Sequence, residues 1–215
     1  MAACCFAVQT REEEYLEVAA RYSKEELELF SKAMAGLILE MEQNPFQDIL
    51  GPYYMEIASK ATQAARGEFY TPPELSRLIA RMLFDVEKLK EDNRAISVHE
   101  PASGAGGMVL AIGELLAPAH VHLLRVTCWD LNPVAADMCY LNTTLWGIPA
   151  EIVWGDTLRN IVHGSWKNIH WARVREDMRR LLVGFFGSRS TANVEIPREK
   201  ADLSNNPFEQ MDFRL

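Results

Sequence analysis

Between residues 95 and 156 the chain alternates short β-prone apolar runs with segments of helical periodicity, and no other feature of the sequence restricts the fold so tightly. The spacing predicts strands over 95–100, 123–130 and 151–154, with helices over 106–116 and 133–145. Strands separated by single helices run parallel and are joined by right-handed crossovers. The expected architecture is therefore α/β, a doubly wound Rossmann-like sheet, abbreviated to three convincing parallel strands. Beyond residue 158 the periodicity weakens: 166–182 reads as a basic helix, 181–186 alternatively as a strand, and the tail from 188 as irregular.

Upstream, residues 10–43 have the pattern of a helical pair, each member opened by a capping box, Thr10 with Glu13 and Ser23 with Glu26. Asn44-Pro45-Phe46 punctuates the pair, and 46–65 reads as a further amphipathic helix interrupted early by Gly51-Pro52. Thr71-Pro72-Pro73-Glu74 has the composition of a helix start, with Thr71 as N-cap, and predicts a helix to about residue 89. These boundaries divide the chain into an N-terminal helical region (1–65), an α/β domain (66–187) and a C-terminal tail (188–215).

With 48% hydrophobic and 24% charged residues the composition is that of a globular protein and excludes collagen-like or wholly disordered chains. No apolar run reaches the ~18 residues of a membrane span. Residues 1–8 are apolar but lack a basic lead-in and run into Arg11-Glu12-Glu13-Glu14, so a cytoplasmic protein without a secretory signal is expected. Cys4, Cys5, Cys128 and Cys139 have no metal-ligand spacing, and no metal is expected. The net charge of -8 argues against a chain that coats nucleic acid over its whole surface. Residues 1–60 hold eleven acids against five bases, whereas 159–198 hold eight bases against three acids, so a polyanion contact belongs to the C-terminal third. There Trp166, His170 and Trp171 stand among Lys167, Arg173, Arg175, Arg179 and Arg180, a mixture suited to phosphate contact with base stacking, or equally to a solvated helix face.

Ligands of open parallel sheets bind beyond the carboxyl ends of the strands, and three loops fall there. Glu100-Pro101-Ala102-Ser103-Gly104-Ala105-Gly106-Gly107 joins a strand to a helix, where glycines let backbone approach a ligand and the helix N-terminus favours negative charge. It also reads as a tight turn without a ligand. A dinucleotide fingerprint would need a third glycine where Val109 stands. Asp130 ends the next strand, placed either to accept two ribose hydroxyls or to complement a helix dipole. Asp156, in Gly155-Asp156-Thr157-Leu158, is placed to accept from an exocyclic amine, or belongs to an ordinary turn.

Together with Gly67-Glu68-Phe69-Tyr70-Thr71-Pro72, these loops resemble in order and context the motifs of S-adenosylmethionine-dependent DNA adenine-N6 methyltransferases, especially the modification subunits of type I restriction systems and their phage and plasmid relatives. The resemblance covers about residues 44–158 and implies a class I methyltransferase sheet. It implies S-adenosylmethionine as cofactor, its methionine moiety held by Glu68, Phe69, Tyr70, Thr71 and Pro72 with Glu100, Pro101, Ala102, Ser103, Gly104, Ala105 and Gly106, its nucleoside by Asp130 and Asp156. Thr71 has a second explanation, as a helix cap. The family transfers its methyl group at Asn or Asp followed by two prolines and an aromatic residue, a motif absent between 158 and 199. The nearest match, Asn205-Asn206-Pro207-Phe208, nominates Asn205, Pro207 and Phe208 as catalytic, although the same Asn-Pro-Phe triplet occurs at 44–46. DNA is the implied substrate, with a partner subunit for target recognition. A catalytically inactive relative acting as a cofactor- or DNA-binding module in restriction or anti-restriction is the alternative, and a methyltransferase acting on something other than DNA is a third.

Overall fold

The computed structural model describes residues 11–57, 70–92, 95–117 and 119–171. The expected alternation folds as a four-stranded mixed sheet in the order β1-β2-β3-β4. β1 (Ile96–Glu100), β2 (Leu124–Asp130) and β3 (Ala150–Asp156) run parallel, and β4 (Ile161–Lys167) returns antiparallel to β3. The helices, in chain order, are α1 (Glu12–Ala19), α2 (Lys24–Gln43), α3 (Leu50–Ile57), α4 (Pro73–Leu83), α5 (Val86–Asp92), α6 (Gly107–Leu116) and α7 (Pro133–Leu145). Because strand order follows chain order, right-handed crossovers put α6 and α7 on one face of the sheet. The core lies there: Leu124, Val126, Cys128, Ala150 and Ile152 are buried with Val109, Leu110, Ala136 and Tyr140.

Ser23 and Glu26 form the expected reciprocal cap of α2. Elsewhere the boundaries shift for local reasons. The helix expected from Thr71 to about 89 is two helices, since Phe84 is extended and Asp85 opens α5 by accepting from Lys88 N at 3.2 Å. Thr71 is not the cap of α4; Pro72 occupies that position and no side chain caps it. α3 begins at Leu50 rather than 46, because Phe46 takes a positive φ of 57° and Asp48 accepts from Gly51 N in the first turn. Pro52 falls in that same turn, where its missing N–H is no loss, and so does not interrupt the helix. Thr10 and the segment 181–186 lie outside the described residues.

The basic helix expected from 166 starts later, because Trp166 and Lys167 are the end of β4; helical backbone begins at 169, and 172–182 lie outside the described residues. Little apolar surface drives this strand; Asn168 holds it. Buried Asn168 donates from Nδ2 to Ile148 O (2.8 Å), while its Oδ1 accepts from Ala150 N (3.2 Å) and Trp171 N (3.1 Å). Gly155 permits the register shift midway along the pair, since a Cβ there would collide with Ile161 O. Trp166 packs on the core beneath the Arg11 guanidinium, 4.4 Å above its ring, and Lys167 pairs with Glu151 at 3.6 Å. Each buried partner orphaned by Asn168→Ala costs about 1–3 kcal/mol. We expect the variant to lose about 2–4 kcal/mol in denaturant unfolding, with β4 amides exchanging hydrogen ahead of those in β1 to β3.

Candidate functional site

Register fixes the shape of the carboxyl edge. Glu100 pairs with Cys128 and Asp130 with Trp154, so each parallel strand outruns its neighbour by two residues, about 7 Å. With side chains alternating along each strand, Glu100, Asp130 and Asp156 point to the same, helix-covered face. The three loops beyond are cross-linked. Asp130 Oδ2 accepts from Gly104 N at 2.7 Å and Oδ1 from Asn132 N at 2.8 Å. Ser103 N donates to Trp129 O (2.8 Å), Thr157 Oγ1 to Pro101 O (2.7 Å) and Trp154 Nε1 to Leu131 O (3.2 Å).

The glycine loop needs its glycines for different reasons. Gly104 (φ 54°) and Gly106 (φ 91°) are both left-handed, and Gly106 is the N-cap of α6. A Cβ on Gly104 would lie 3.0 Å from Tyr70 Cε1, which places the upstream motif directly over the loop. Ser103 Oγ is buried here without a hydrogen-bond partner among the described residues. Burial pushes the Glu100 carboxyl above its usual range, opposed by a hydrogen bond from Ala102 N.

Two residues absent from the expected set hold this assembly. Asn142 of α7 donates from Nδ2 to Ala105 O at 2.8 Å and to Asp48 Oδ1 at 3.0 Å, joining glycine loop, α7 and the start of α3. Asp48 is buried, and burial raises its pKa against the lowering effect of bonds from Gly51 N and Asn142. A polar residue inside the apolar pattern of α7 was the one available sequence signal for Asn142; Asp48 sits in an irregular segment and gave none. A cavity of about 210 Å³ opens beside them, lined by Asp48, Tyr70, Thr71, Pro72 and Gly107 among others.

The structure therefore brings Tyr70, Thr71 and Pro72 to the glycine loop, and sets Glu100, Asp130 and Asp156 along one edge. The Asp156 carboxylate is tied to its own turn, accepting from Arg159 N at 3.0 Å. Leu131 and Leu158, 65% and 99% exposed, follow the two aspartates closely as apolar side chains facing solvent. Glu68, Phe69, Asn205, Pro207 and Phe208 lie outside the described residues. In the expected basic segment, Trp166, Lys167, His170 (to Thr144 O, 2.9 Å) and Trp171 (5.4 Å below Lys167 Nζ) all have intramolecular partners. No group of three or more His, Cys, Asp or Glu among the described residues is placed to hold a metal.

A family model described as N-6 DNA methylase matches residues 46–172. Over 124 residues the chain is 27% identical to the type I restriction enzyme MpnII methylase subunit of Mycoplasma pneumoniae. Over 118 residues it is 31% identical to the type I restriction enzyme MjaVII methylase subunit of Methanocaldococcus jannaschii. These alignments cover 55% and 53% of this chain but 22% and 19% of the relatives, so the chain spans about a fifth of the length of the curated relatives it matches. No solved structure matches significantly.

The raised Asp48 pKa has a readable consequence. As pH falls from neutrality, folded Asp48 takes up its proton before the unfolded chain does, so this group makes unfolding progressively harder until the unfolded carboxyl also protonates. Asp48→Asn should remove that slope. Denaturant unfolding of both proteins across this range tests it: the stability of wild type relative to the variant should rise as pH falls, and a pH-independent difference would refute the shift.

Proposed function

Because the chain belongs to the N-6 DNA methylase family, we propose that its three-loop edge binds S-adenosylmethionine and that the protein methylates N6 of adenine in DNA. The observation that carries the reading is the packing of Tyr70 over Gly104, which joins the upstream motif to the glycine loop. The donor set fits this cofactor. Ser103 Oγ, buried and without a partner among the described residues, and the α6 N-terminus suit the methionine carboxylate. Asp130, which accepts from Gly104 N and Asn132 N, stands at the strand end where ribose hydroxyls would donate to its carboxylate. Asp156 accepts from the adenine amine, and Leu131 and Leu158 supply apolar contact for the ring.

When bound, the cofactor supplies an electrophilic methyl group on a sulfonium. The chain itself positions and desolvates: the cross-linked loops hold the nucleoside without reorganising, and Thr71, freed from any capping role, faces the cavity beside Gly107. Asn205 would accept from the amine of a flipped adenine, with Pro207 and Phe208 shaping and stacking the base. In this reading domain 66–187 carries the cofactor loops, region 1–65 contributes Asp48, and the tail 188–215 carries the catalytic nominees. The protein works in the cytoplasm, and a partner subunit supplies target recognition.

A second reading, a cofactor-binding relative without transfer activity, is favoured by one observation: the strand after β3 is antiparallel, and residues 157–171 contain no Asn or Asp followed by two prolines. Labelled S-adenosylmethionine with unmethylated DNA separates the two. Methyltransferase activity predicts label recovered as N6-methyladenine, and Asn205→Ala should then abolish transfer while leaving cofactor affinity intact. Asp130→Ala should weaken cofactor binding about 10- to 100-fold, the loss of one or two charge-assisted hydrogen bonds. Binding without transfer supports the second reading; no binding refutes the site.

A further inference from the structure

Asp48 is a buried carboxylate for which the three-loop edge has no use. The groups that act on it are neutral: Gly51 N and Asn142 Nδ2 each donate to Oδ1 at 3.0 Å, and Leu50 adds a backbone N–H. No charged group among the described residues offsets it. Arg77, which lines the same cavity, is already engaged, donating from Nε to Glu114 Oε2 at 2.8 Å. Buried charges are normally paired, because desolvation without a counter-ion is costly. A carboxylate left in this state at the wall of a cavity suits a cationic ligand group.

The surroundings of Asp48 specify which group. α6 begins at Gly107, and a Cβ built there would lie 4.0 Å from Asp48 Cβ, so the side chain stands beside the first turn of that helix. Asn142 Nδ2 donates to Asp48 Oδ1 and also to Ala105 O at 2.8 Å, tying the carboxylate to the glycine loop through one nitrogen. An α-amino acid carries its carboxylate and its ammonium on the same carbon. With the carboxylate on the N–H groups that open α6, the ammonium falls beside that turn, next to Asp48. The cavity there measures about 210 Å³, with Pro52, Met55 and Pro72 among its walls. It is smaller than the ~300–1,000 Å³ of sites that enclose a whole ligand, and fits one end of a longer molecule with apolar contact for its methylenes.

We propose, on the S-adenosylmethionine reading of the edge, that Asp48 binds the α-ammonium of the methionine end and so selects nucleosides that carry it. An ammonium presents three donors and no acceptor, which matches a carboxylate. The connection between α2 and α3 thereby becomes part of the cofactor site.

Calorimetric titration of the full chain with three nucleosides tests this without any methyl transfer: S-adenosylhomocysteine, its analogue lacking the amino group, and methylthioadenosine, which lacks the whole amino-acid end. Wild type should bind S-adenosylhomocysteine about 10- to 100-fold tighter than the desamino analogue, the difference made by one or two charge-assisted hydrogen bonds. Asp48→Asn should bind those two about equally and methylthioadenosine as wild type does. Asparagine keeps the Oδ1 that accepts from Gly51 N and Asn142 Nδ2, so the substitution removes the charge and retains those bonds. Equal weakening of all three ligands, the mark of a purely structural Asp48, would overturn the proposal. So would an undiminished preference for the amine in Asp48→Asn, the result if Glu100 holds the ammonium, or no such preference in wild type; each leaves the cofactor reading standing. Failure of wild type to bind S-adenosylhomocysteine at all would overturn both.

Discussion

The Asp130 carboxylate accepts one backbone N–H from the glycine loop, at Gly104, and one from its own loop, at Asn132. Two strand ends are thereby locked together by a single charged group. Asn132 in turn caps α7 by accepting from Val134 N, and α7 carries Asn142 back to Ala105 O on the far side of the glycine loop. The circuit closes on itself, so the left-handed backbone of the loop is held from both sides. Sites held by strands and helices in this way keep their geometry better than sites on free loops.

The first helix is attached by a comparable device. Arg11 places its guanidinium over Trp166 of β4 and donates to Asp137 of α7 at 3.4 Å, while also pairing with Glu14. One almost buried arginine therefore fastens the start of α1 to both β4 and α7. The Asp137 carboxyl is raised by burial and partly restored by that arginine, which marks the junction as desolvated.

Parallel alternation, the glycine turn and the acid at each strand end were legible because each rests on local rules: period-two strands, period-3.6 helices and glycine where φ is positive. α7 was found to the residue, since Asn132 and Pro133 announce its start. β4 was not, because its pattern is largely polar and its stability comes from Asn168, whose partners lie 18 and 20 residues away. Thr71 misled for the opposite reason. Its local sequence is a good cap, yet Pro72 takes the N-cap position in its place. Asp48 was invisible because its importance is entirely tertiary: its partner Asn142 is 94 residues distant.

The two-residue overhang of successive strands gives the carboxyl edge a slope. From Glu100 to Asp156 the chain climbs about 13 Å along the strands while crossing about 10 Å between them, a diagonal of about 16 Å. The three acids are treads of a stair and not points on a level rim. A compact ligand can stand on two adjacent treads at most, and only an elongated molecule laid obliquely across the strands can reach all three, so the pitch of the sheet is itself a filter on ligand length.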